Sequence, residues 1–84
     1  MYICNQLRQY IYQTIIVHFG KKTYIGFLTG VTHTTISMVD VSSCYINDIG
    51  ICSYSKINGT IIIDIYSIKN AYHYNNMHIK EQII

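Results

Sequence analysis

Few side chains in this 84-residue sequence can do chemistry: 4 His, 3 Cys and 4 acids. The acids Asp40, Asp48, Asp64 and Glu81 are scattered, with no spacing that pairs two carboxylates for acid–base work. His73 and His78, with Cys4, have the donor types of a transition-metal site. Only a fold that gathered them could make one. His18 lies on the strand face opposite Ile15, Val17 and Phe19, and reads as a solvent-facing or interface residue rather than a ligand. No C-x-x-C, Gly-rich phosphate loop, zinc spacing or Ser/His/Asp order is present. The expectation is a protein that is not an enzyme, with no metal and no other cofactor.

The cysteines Cys4, Cys44 and Cys52 make an odd number. In a reducing compartment they read as buried thiols. In an oxidising one Cys44 and Cys52, flanking a turn, would face each other in one hairpin. Cys4 would then be left to bridge subunits. Net charge is only +2, and Lys21-Lys22 is the only adjacent basic pair. A dedicated nucleic-acid binder carries a denser basic patch. The 9 Tyr could stack on single-stranded bases, but with so few charges they read first as interface residues.

The apolar fraction is 50% and charged residues make up 12%, which leaves few charges to cover the surface of one small domain. Some apolar surface is therefore expected to face another copy. No apolar run reaches the length of a membrane span. Asn5, Gln6, Arg8, Gln9 and Gln13 interrupt any secretory pattern near the start. Synthesis in the cytoplasm, without a membrane partner, is the expectation.

The elements follow from periodicity. Tyr2–Gln13 reads as a helix capped by Asn5, with Ile3, Leu7, Tyr10 and Ile11 on one face. Thr14–Phe19, Thr23–Val31 and Thr35–Val41 read as an antiparallel meander joined by Gly20-Lys21-Lys22 and His33-Thr34. Gly26 and Gly30 interrupt the second strand, where a glycine implies a bend or a close backbone approach. Residues 42–58 contain the turn formers Asn47, Asp48 and Gly50 among apolar residues, and lengthen the third and fourth strands into a hairpin. Thr60–Tyr66 is a β-branched strand launched from Asn58-Gly59. A tight turn at Ser67–Asn70 leads to a short last strand, Ala71–Tyr74. Asn75–Ile84 is a tail, with Met77, Ile79, Ile83 and Ile84 as its anchors.

A short helix followed by five bent strands resembles the Sm-like family of Sm, Lsm and Hfq proteins. The pattern is Ile15–Phe19, Gly20, Gly26-Phe27-Leu28, Gly30-Val31 and Ile36–Val41, then Ile57-Asn58-Gly59-Thr60-Ile61. The resemblance covers about residues 5–74 and implies a strongly bent, five-stranded antiparallel barrel that assembles into rings. The family residues that clamp a uridine base are almost all replaced: Thr32 stands for its Asp, Thr35-Ile36 for its Met-Asn and Asn58 for its Arg. Asp64-Ile65-Tyr66 stands for the Tyr-Lys-His of Hfq. The stretch Gly26–Val41 also resembles small Ile/Thr/Asn-rich Sm-like proteins of spore-forming bacteria, some linked to spore coats.

Two functions are expected from these readings. The first is structural self-assembly into rings, stacks or filaments, with a spore surface as one location the resemblance implies. Its interface would be the edge Thr60, Ile61, Ile62, Ile63, Asp64, Ile65 and Tyr66 of one copy on Ala71, Tyr72, His73 and Tyr74 of the next. Asp64 would face water there or pair with Lys56 or Lys69 of a neighbour. TIIIDIY contains no Pro or Lys to blunt an open edge. The alternative is an RNA-binding ring contacting RNA through Lys21, Lys22, His33 and Asn58.

Overall fold

The computed structural model describes residues 2–46, 49–50, 52–74 and 80–84, with the side chains of Tyr2, Ile46, Cys52 and Lys80 outside that description. The chain runs α1 (Tyr2–Arg8), β1 (Thr14–Phe19), β2 (Lys22–Val31), β3 (Thr35–Ile46), β4 (Cys52–Lys56), β5 (Ile61–Asp64), a 3₁₀ turn (Ile65–Ser67), β6 (Ile68–Tyr74) and β7 (Lys80–Gln82). The strands form one antiparallel sheet in the order β4-β3-β2-β1-β6-β7, with β5 pairing β3 beside β4. The mainly β class with a short N-terminal helix is as expected. The count of strands is not: among the described residues there are seven rather than five, and their sheet is not closed into a barrel.

Two local causes account for the extra strands. The fourth pass along the sheet is broken into β4 and β5. At the break the Ile57 amide bonds the Val41 carbonyl (2.8 Å), and Gly59 follows at φ +83°. That left-handed backbone is one a glycine adopts without strain. The second cause is the end of the described chain, where the expected tail forms β7.

The helix is shorter than its apolar periodicity. After Arg8 the chain turns through bonds of the tighter i→i−3 type: Tyr10 N–H to Leu7 O (2.9 Å), Ile11 N–H to Arg8 O and Gln13 N–H to Tyr10 O. The Tyr12 amide then reaches Leu28 O (2.7 Å), and Leu28 N–H reaches Gln13 O (3.0 Å). Sheet pairing with β2 thus takes over the backbone that helix propensity would have kept. Asn5 lies inside the helix and is not its cap; it accepts from the Arg8 guanidinium at 3.1 Å.

β1 and β2 pair from Thr14–Phe27 to Phe19–Lys22, closing a tight turn at Gly20 with φ +61°. The β2–β3 ladder slips register twice. Between Ile25 and Phe27 the extra residue is on β3, and between Leu28 and Gly30 it is on β2. Each slip is a bulge, which bends its strand and increases local twist. Asp40 occupies the first at φ +52°. Gly26 lies opposite it, and a Cβ there would come within 2.8 Å of Val41 Cγ2 and 3.0 Å of Val39 O. Of the two readings of Gly26, a bend or a close backbone approach, the close approach is present, beside a bulge that bends the strand.

The bent sheet wraps a core of Ile15 and Val17 from β1, Leu28 from β2, and Ile36, Met38 and Val41 from β3. Ile63, Ile65, Ala71 and Ile83 complete it from the C-terminal half. Cys4 and Leu7 close it from the helix, so α1 depends on the sheet for its stability. Among the described residues no polar or charged side chain is buried.

Candidate functional site

The residues offered for chemistry do not converge. Among the described residues no group of three His, Cys, Asp or Glu side chains could hold a metal. His78 and Asp48 lie outside the described residues. His18 is half-buried rather than solvent-facing: its Nδ1 lies 2.9 Å from Thr23 Oγ1, and its ring meets Tyr72 edge-on at 5.5 Å. His33 is exposed in the β2–β3 turn, whose shape is held by Thr32. The Thr32 Oγ1 accepts from the amides of Thr34 (3.2 Å) and Thr35 (2.9 Å), a local hydroxyl-capped turn. A structural role for the threonines here accounts for all of these bonds.

The proposed RNA contacts are dispersed along the sheet. Lys21 and Lys22 stand at one end of the ten-residue β2 and His33 beyond its other end. Asn58 lies in the β4–β5 break, next to the bond that ties Ile57 to Val41.

Cys44 is disulfide-bonded and buried. The reading of all three cysteines as thiols is corrected on this point. Cys44 faces Tyr54 across the β3–β4 ladder, and Cys52 stands two positions earlier on the same strand, opposite Ile46. Cys4 is a thiol in the core, only 2% exposed. A bridge from Cys4 to another subunit would require α1 to leave the sheet.

The edge of β5 is the most distinctive surface. β5 pairs with β3 through Met38–Ile61, Ser37–Ile62, Ile36–Ile63 and Thr35–Asp64, and among the described residues with no other strand. The Ile65 amide bonds Thr34 O (2.9 Å), which sets the parity of this ladder. Backbone groups alternate sides along a strand. Those of Ile61 and Ile63 therefore face β3, and those of Ile62 and Asp64 face away from it. Ile62 also projects its side chain outward, 71% exposed, while Ile63 is in the core. A shallow groove of about 320 Å³ adjoins Ile62, lined by Gly30, Val31, Thr32, Thr35 and Ser37. Asp64 has a local role: its carboxylate accepts from the Tyr66 amide (3.0 Å) and caps the 3₁₀ turn. That turn ends the strand two residues earlier than expected and leaves Tyr66 exposed.

The opposite end of the sheet differs. The expected acceptor, Ala71–Tyr74, lies in β6, and its outer edge is already paired with β7 through Tyr72–Gln82, His73–Glu81 and Tyr74–Lys80. Its continuation, Ile83 and Ile84, bonds Ala71. The sequence reading missed this pairing; Ile83 and Ile84 were the one signal for it, as apolar anchors of a presumed tail.

No family model matches this chain, and no curated protein matches it. Among the described residues the geometry is that of a mainly β chain with a single bent antiparallel sheet, in which β4 and β5 have no strand partner away from β3 and β6 is covered by β7. No helix among the described residues is long and apolar enough to cross a membrane.

Proposed function

We propose that this chain is a structural protein that self-assembles by pairing sheet edges between copies, in rings, stacks or filaments. The observation that carries the reading is the β5 edge, where the backbone groups of Ile62 and Asp64 face away from β3 beside an exposed Ile62 and an apolar groove. An edge of this kind, without Pro or Lys, is a template for another strand. In β-strand addition the backbone supplies affinity and side-chain pockets supply register. The low charged fraction supports the same reading. The scatter of Lys21, Lys22, His33 and Asn58 makes RNA binding the weaker use of the surface. The spore coat is the setting we propose, on the resemblance of Gly26–Val41 to small spore-associated proteins.

The test is a proline at each of two adjacent positions. Proline removes a ladder donor. At Ile62 the lost donor faces away from β3, so Ile62→Pro is expected to keep the fold and lose assembly. At Ile63 it faces β3, so Ile63→Pro is expected to lose the fold. Light scattering coupled to size exclusion, with electron microscopy of the wild type, reads the outcome. A protein that stays monomeric at all concentrations both as wild type and when β7 is released by Ile83→Asp, or an Ile62→Pro variant that assembles normally, refutes the proposal.

A further inference from the structure

The open β5 edge needs an edge to pair with, and among the described residues the opposite flank of the sheet is β6, covered by β7. There the outward backbone groups belong to Ala71 and His73, because those of Asn70 and Tyr72 turn toward β1. Both are occupied from within the chain. Ile83 N–H donates to Ala71 O at 2.8 Å, Ala71 N–H donates to Ile84 O at 3.2 Å, and Glu81 stands opposite His73 in the ladder. Side chains reinforce the pairing. Ile83 enters the core and is only 8% exposed. Glu81 Oε2 lies 3.9 Å from His73 Nδ1, an ion pair when the imidazole is protonated. The His73 ring in turn packs on Tyr10 at 4.9 Å.

The replacement edge is poor for further pairing. β7 has three residues, two of them charged by sequence, Lys80 and Glu81. Short, charged strands are how proteins blunt sheet edges. Among the described residues the chain therefore has an unblunted edge at β5 and a covered one at β6.

We propose that residues 80–84 are a releasable cap that competes, within the chain, for the edge that β5 of a second copy would occupy. This rests on the self-assembly reading above and adds its regulation. With β7 in place the chain is closed. With β7 displaced, the outward groups of Ala71 and His73 accept the outward groups of Ile62 and Asp64 from the next copy. Both occupants offer the same thing: an antiparallel strand with a free N–H and C=O at alternate residues.

Two variants bias the cap in opposite directions. Ile83→Asp removes its anchor. Burial of one Ile side chain is worth at least about tenfold in an equilibrium, so the concentration for half-assembly should fall about tenfold or more. The double variant His73→Cys/Glu81→Cys, oxidised with glutathione disulfide, fixes the cap in place. A directly opposed, hydrogen-bonded pair has the Cα separation a disulfide needs. Its control is His73→Ser/Glu81→Ser, which loses the ion pair without the lock. Circular dichroism checks that each variant folds, mass spectrometry checks the cross-link, and light scattering reads assembly. The locked form should stay monomeric where the serine control assembles. If the locked form assembles like that control, or folded Ile83→Asp assembles no better than wild type, the cap is refuted while the self-assembly reading stands. If wild type, Ile83→Asp and the serine control are all monomeric at every concentration, the self-assembly reading fails and the cap with it.

Discussion

Substitution of Gly26 tests whether the bend in the sheet is set by a backbone contact. A Cβ at this position would lie 2.8 Å from Val41 Cγ2, 3.0 Å from Val39 O and 3.1 Å from Val41 Cα. Two of those three atoms are backbone and cannot rotate away. Overpacking of this kind costs about 1–3 kcal/mol. Against it, replacing glycine stabilises through the unfolded state by about 0.4–1 kcal/mol. The net for Gly26→Ala is then a loss of about 1–2 kcal/mol. Gly26→Val adds two methyl groups to the same space and should lose about 3 kcal/mol or more. In a domain of this size each kcal/mol moves the melting temperature by about 4–8 °C. The expected drop for Gly26→Ala is thus on the order of 10 °C, measured by thermal circular dichroism. Gly30→Ala is the internal control. Its Cβ would meet only the Ser37 hydroxyl, at 2.9 Å, which can turn aside with the loss of its bond to Thr29 Oγ1, so a smaller drop than for Gly26→Ala is expected. The Val41→Ala background should rescue Gly26→Ala only in part, because Val39 O and Val41 Cα remain. A Gly26→Ala variant that melts at or above wild type would refute the close-approach account, and so would full rescue by Val41→Ala.

Two further variants address the bulge and the 3₁₀ turn. Asp40 holds φ +52°, a conformation that costs a β-branched residue about 1–3 kcal/mol. Asp40→Ile should therefore destabilise by about 2 kcal/mol and Asp40→Gly by much less, in urea melts; equal losses would show that the bulge is not strained. Asp64→Ala removes the carboxylate that accepts from the Tyr66 amide. Lost caps cost about 1 kcal/mol, so a small stability loss is expected in a monomeric background such as Ile62→Pro. A loss seen only in assembled wild type would place Asp64 at an ion pair between copies instead.

Local pattern was enough for β1, β2 and the start of β3, because their alternation and turn residues act over a few positions. Thr14–Phe19 is legible to the residue, and Gly26 is legible as a bend or a close backbone approach. The mainly β class followed from the same signals. The helix end was not legible, because Leu28, far along the chain, claims the backbone of Tyr12 and Gln13. The lengthening of β3 into a hairpin with β4 is as the turn formers of residues 42–58 imply, while the choice between thiols and a bridge at Cys44 depends on how that hairpin pairs. For the candidate edge, the sequence determined that Thr60–Tyr66 carries no Pro or Lys to blunt it. It did not determine which amide faces outward, since parity is set by the pairing with β3 and by the Ile65–Thr34 bond. Nor did it reveal that Ala71–Tyr74 is covered. Lys80-Glu81-Gln82 has no strand alternation of its own, and β7 is held there by pairing with β6 and by Ile83 in the core. Local propensity decides where a strand can start, but only tertiary contact decides which edge remains open.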